Sequence, residues 1–108
     1  MLREIKSTQR LVRQLAFKVT GTGTAAISQG SFDATLVDNG TGDYTLTFGK
    51  AFSRAPICVA SCQTATCYAE IAAASATAVQ ILTKSNANAA TDAVFHLIVQ
   101  GYDSVDET

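Results

Sequence analysis

The single histidine, His96, is the first residue in this chain that could do chemistry, as a general base or a metal ligand. A hydrolytic triad would need a serine or cysteine nucleophile and an orienting acid around it. His96 instead lies in an alternating apolar run, Val94 to Gly101, with no such residue beside it. A lone histidine in that setting reads as a packed, hydrogen-bonded side chain. Three cysteines, Cys58, Cys62 and Cys67, are spaced C-x3-C-x4-C, which matches no paired CxxC zinc unit, and His96 is far along the chain. On one extended strand Cys58 and Cys62 share a face but stand about 13 Å apart, too far to bond. They read as free thiols serving as small hydrophobes. The acids Asp33, Asp38, Asp43, Asp92 and Asp103 sit at turns and strand ends, where Asp serves the backbone, and nothing pairs two of them for glycosidic chemistry. Gly21-Thr-Gly23 and Gly40-Thr-Gly42 resemble phosphate loops only superficially: neither continues as GxGxxG nor reaches a Gly-Lys-Ser/Thr. No enzyme signal, cofactor site or metal site emerges.

The remaining chemistry is charge. Residues 1–18 hold Arg3, Lys6, Arg10, Arg13 and Lys18 against Glu4 alone, whereas residues 19–108 hold three cations against eight acids. A basic leading segment on an acidic body is the asymmetry of an arm that docks on an acidic surface, and Arg3, Lys6, Arg10 and Arg13 are its candidate contact residues. A solvated helix face would carry the same charges. Nucleic-acid binding would need exposed aromatics among the cations, and Phe17 is the segment's only aromatic.

The elements that must position these residues are strands. Phe32, Ala34 and Leu36 alternate; Asn39-Gly-Thr-Gly42 follows as a turn; then Tyr44, Leu46 and Phe48 alternate again, which predicts a hairpin over 31–48. A first strand is expected near 13–20, preceded by a short helix or extended arm over about 2–12. After a connection at 49–55, Pro56 opens a strand with Ile57, Val59, Ser61 and Gln63 on one face and Cys58, Ala60 and Cys62 on the other. Further strands are expected at 66–73 and 77–84. The last, at 93–102, is apolar on both faces and therefore central. Ala72 to Ala76 favours helix by propensity, but its Thr, Val and Ile flanks make it a strand end and turn.

With 108 residues there is one domain and one core. The reading is an all-β protein, a single antiparallel β-sandwich (jelly-roll-like or a small barrel), with a basic N-terminal arm or short helix. Its parts are the arm leading into the first strand (1–18), the sandwich (19–103) and an acidic tail (104–108). Charged residues are only 16% of the chain, against about a quarter in ordinary globular domains, so part of the surface is expected to be covered by a partner. No apolar run reaches transmembrane length, and the basic start lacks the apolar core of a signal peptide, which points to synthesis in the cytoplasm and no membrane partner.

Two stretches carry a resemblance. Gly40-Thr-Gly-Asp-Tyr-Thr-Leu-Thr-Phe-Gly-Lys-Ala-Phe-Ser-Arg-Ala-Pro56 resembles a GxGDYTxTFxxxFxxxP segment, and Asp92-Ala-Val-Phe-His-Leu-Ile-Val-Gln-Gly101 a DxxFHxxxxG strand, of small β-sandwich virion proteins of tailed bacteriophages. Such domains occur as head decoration (cement) proteins and as terminal domains of tail fibres. The match covers about residues 31–103 and carries no catalytic residue. It implies a virion component, made in the host cytoplasm, that forms a homotrimer. As a decoration protein it would bind the major capsid protein through the basic arm and stabilise the head lattice. The alternative is a tail or fibre component that binds a host receptor or glycan, using exposed side chains such as Tyr44, Tyr68 or Tyr102.

Overall fold

A computed structural model describes residues 11–30 and 33–103. It contains eight strands and no helix: β1 (Leu11–Thr20), β2 (Ala26–Gly30), β3 (Ala34–Gly40), β4 (Asp43–Phe48), β5 (Ile57–Cys62), β6 (Cys67–Ala74), β7 (Ala78–Ser85) and β8 (Val94–Asp103). They form two antiparallel four-stranded sheets, ordered β2-β1-β8-β5 and β3-β4-β7-β6. The chain is therefore an antiparallel β-sandwich, as its alternating pattern requires.

Alternation decides which side chains enter the core. Tyr44, Leu46 and Phe48 of β4 are buried, opposite Val79 and Ile81 of β7, and they meet Leu15, Phe17 and Val19 of β1 and Phe95, Leu97 and Val99 of β8. These eleven side chains, with Phe52, make one continuous core cluster, to which both sheets contribute. Tyr44 and Phe95 stack across the layers with ring centroids 5.3 Å apart. As expected, β8 is central, paired with β1 from Leu11↔Asp103 to Thr20↔Val94 and with β5 from Ile57↔Gln100 to Cys62↔Phe95. The first and last strands thus close the fold through a ten-residue register.

The expected hairpin is present, as β3 and β4 joined at Thr41-Gly42. Gly42 has a φ of +64°, and a Cβ there would run into the Thr83 carbonyl, so the turn requires glycine. The alanine run also behaves as expected: β6 extends to Ala74, and the Ser75 hydroxyl accepts from the amides of Thr77 and Ala78 to build the turn.

Three expectations need correction. Strand β2 lies within a stretch read as having no strand, because Ile27 is its only large apolar residue and it is a short edge strand with a bulge opposite Lys18 and Val19. The connection 49–55 contains a core residue, Phe52, which packs edge-on against Phe48 at 5.1 Å. The first strand begins at Leu11, so Arg13 belongs to the sandwich and not to the segment ahead of it.

Three of the four edge strands carry a bulge, and the fourth, β5, is regular. Bulges fall in the pairings of β2, β3 and β6 at Lys18/Val19, Asp38/Gly40 and Ile71/Ala73, and Pro56 precedes β5. Such devices oppose edge-to-edge pairing with another sheet.

Candidate functional site

Four of the five candidate aspartates, Asp38, Asp43, Asp92 and Asp103, use their carboxylates to hold the fold. Asp92 Oδ1 accepts from the Tyr44 hydroxyl at 2.8 Å and from the Gly42 amide at 2.9 Å, tying the β7–β8 connection to the hairpin. Burial and the Asp92 carboxylate both push the Tyr44 phenol well above its ordinary range. Asp43 Oδ1 accepts from Gln80 Nε2 at 2.9 Å and from Asn39 Nδ2 at 3.3 Å. Glu70 pairs with Lys84 at 2.8 Å, which raises the Lys84 ammonium above its usual value. Asp38 accepts from the Gly40 amide at the bulge. These are structural uses of carboxylates; the aspartates sit at the turns and strand ends where the sequence placed them, and Glu70 lies within β6.

Cys58, Cys62 and Cys67 are free and half-buried; Cys58 and Cys62 point inward beside Ala60 and pack on the core. Burial pushes the Cys58 and Cys62 thiols up, away from the reactive thiolate. Among the described residues no cluster of three His, Cys, Asp or Glu is placed to hold a metal. No helix among them is long and apolar enough to cross a membrane.

Of the four arm residues, Arg3, Lys6 and Arg10 lie outside the described residues. Arg13 is described, and it is occupied. Its Nη2 lies 2.8 Å from Asp103 Oδ1 and donates to the Lys50 carbonyl at 2.9 Å, and its guanidinium sits 4.0 Å above the Phe52 ring. Arg13 locks the start of β1 to the end of β8 and to the 49–55 connection, with its side chain only 17% exposed.

His96 is not packed in the core. It points out from β8 and is exposed, because Phe95 and Leu97 take the inward positions. Tyr44 is fully buried, whereas Tyr68 and Tyr102 are exposed on different sheets. The three tyrosines do not form one surface cluster.

The two outer faces of the sandwich differ in chemistry. On the β3-β4-β7-β6 sheet several outward residues are polar and bonded to one another, Asn39, Asp43, Thr45 and Gln80 in one group and Glu70 with Lys84 in another, beside Thr35, Thr47, Val37, Leu82 and Tyr68. On the β2-β1-β8-β5 sheet the outward residues include Val12, Ile57, Val59, Ile98 and Tyr102, five of the seven large apolar side chains that are most exposed. Ile57 is 74% and Val59 60% exposed. The sequence reading placed Ile57 and Val59 on the face opposite Cys58 and Cys62, which it took as buried, and the cysteines do take the inward side. Register lines these residues up in rows: Ala16–Ile98–Val59, Gln14–Gln100–Ile57 and Val12–Tyr102. Among the described residues the only basic outward side chains on the four strands are Lys18 and His96, which are cross-strand neighbours; no outward carboxylate stands beside them, and neither forms an ion pair. Large exposed apolar patches are uncommon on small domains that stand alone in water.

Compared with protein-family models, with curated proteins and with solved structures, the chain matches none of them.

Proposed function

We propose that this protein is a non-enzymatic structural component of an assembly, a head decoration protein of a tailed phage that trimerises on the capsid lattice and cements neighbouring copies of the major capsid protein. The observation that carries the reading is the apolar, nearly uncharged outer face of the β2-β1-β8-β5 sheet. A free-standing domain would have to keep that face in water, and covering it with a partner removes the cost. Bulges in three of the four edge strands direct contact to this face. The two stretches that resemble phage virion proteins supply the identity of the particle, and the engagement of Asp38, Asp43, Asp92 and Asp103 in holding the fold supports a role without catalysis.

In this reading the basic segment 1–10, with Arg3, Lys6 and Arg10, leads directly into β1 of the same sheet and adds charge attraction to apolar contact. Arg13 supports the contact from inside by fixing the strand that carries it. The alternative, a receptor-binding tail or fibre component, draws on exposed aromatics, and the burial of Tyr44 leaves it with two that are far apart in the fold. Sedimentation separates the two. The purified protein should pellet with undecorated capsids and not with host-cell envelopes; the reverse result would sink the cement reading.

A further inference from the structure

One end of the same face carries a row of hydrogen-bond donors that crosses all four strands. Gln29 of β2 is paired with Lys18 of β1, Lys18 with His96 of β8, and His96 with Ser61 of β5. At the usual strand spacing the row spans about 14 Å. An amide, an ammonium, an imidazole and a hydroxyl can all donate, and no carboxylate stands among them. Beside the row, Ala16, Phe17, Lys18, Gln29, Gly30, His96 and Ile98 line an open groove of about 410 Å³. Two small residues keep it open: Ala16, and Gly30, whose φ of +108° and contact with the Ala16 carbonyl exclude a side chain.

We infer that this groove is a carboxylate-receiving subsite, which takes an aspartate or glutamate side chain of a partner protein whose flanking residues are aliphatic. The inference rests on the reading of this face as the docking surface and names what the partner must present to it. Charge complementarity selects the occupant. Lys18 and His96 favour an anion, and the adjacent Ile98 and Val59 favour an aliphatic neighbour over water. A second copy of this chain does not meet the requirement with the same face, because its four strands present no outward acid. A nucleic-acid backbone is a poor match as well, with one lysine and no exposed aromatic in the row.

The test uses the full chain, ¹⁵N-labelled, and a capped peptide of alternating glutamate and valine, with the glutamine–valine peptide as control. The expected result is saturable amide shifts at Lys18, Gln29, Ser61 and His96, and at least ten-fold weaker binding of the glutamine peptide. Lys18→Gln should weaken the glutamate peptide several-fold while leaving the thermal melt unchanged, and added salt should do the same to the wild type. Shifts elsewhere on the surface, or equal binding of both peptides, would overturn the inference. So would a change of oligomeric state in sedimentation velocity on Ile98→Lys, since a second copy would then hold the face. Peptide binding does not involve a capsid. Failure to pellet with capsids while the peptide still binds would therefore count against the virion reading alone.

Discussion

Tyr44 shows how a residue that could be mistaken for a surface contact is fixed by the interior. Its ring is buried against Phe95, and its hydroxyl donates to Asp92, which also holds the Gly42 amide. Tyr44→Phe should therefore cost about 1–2 kcal/mol of unfolding free energy in urea melts, since it removes a charge-assisted hydrogen bond while the Gly42 amide still holds the carboxylate. Asp92→Ala should cost at least as much, because it removes the acceptor for two donors. The titratable groups set a pH limit. Burial raises Cys58, Cys62 and Tyr44 in the folded state, so the unfolded chain loses these protons at lower pH than the native one. Their contribution is complete below the ordinary thiol value of 9.0 and is lost as pH rises toward the folded values. Urea midpoints should be flat from pH 7 to 8.5 and fall above 9, and Cys58→Ala with Cys62→Ala should flatten the alkaline decline. A decline of the same size in that double variant would contradict the assignment to the thiols. The inward position of the cysteines was legible, because alternation fixes it relative to Ile57 and Val59. The outward position of His96 was not: both faces of β8 are apolar by sequence, and only the second sheet, packed on Phe95 and Leu97, decides between them.

At the scale of elements, the hairpin β3–β4 and the strand β7 were legible from alternation, and β8 from a long run apolar on both faces that marks a central strand. β2 was hidden by having one large apolar residue, and the role of Phe52 by lying in a connection with no period to reveal it. Phe52 covers the end of the sandwich, packed on Phe48 and beneath the Arg13 guanidinium. Phe52→Ala should cost about 3–5 kcal/mol by opening a cavity and withdrawing the ring from Arg13. Arg13→Ala should cost about 2 kcal/mol, less than for a fully buried pair, since both partners keep some contact with water. Equilibrium denaturation of the two single variants and the double should show coupling, the double costing less than the two single losses together. Gly42→Ala should be more damaging than any exposed substitution, because it strains a positive φ and drives a methyl into the Thr83 carbonyl.

At the scale of the molecule, the division of labour is between the two outer faces. The β3-β4-β7-β6 face binds its own polar groups to one another and suits solvent. The β2-β1-β8-β5 face leaves Ile57, Val59 and Ile98 exposed and holds its two basic side chains, Lys18 and His96, in one row. The sandwich itself could be read from periodicity. Which face would be left apolar could not, since that depends on how the strands are dealt between two sheets. Low overall charge pointed to a covered surface without locating it. The most direct test of the account compares one substitution on each face in the same assay. Val59→Lys and Val37→Lys both place a charge at an exposed valine, on opposite sheets, and both should leave the melt unchanged. In co-sedimentation with undecorated capsids, Val59→Lys should weaken binding at least ten-fold and Val37→Lys by less than two-fold. Equal binding by both variants, or greater loss from Val37→Lys, would contradict the claim that the β2-β1-β8-β5 face is where this protein meets its assembly.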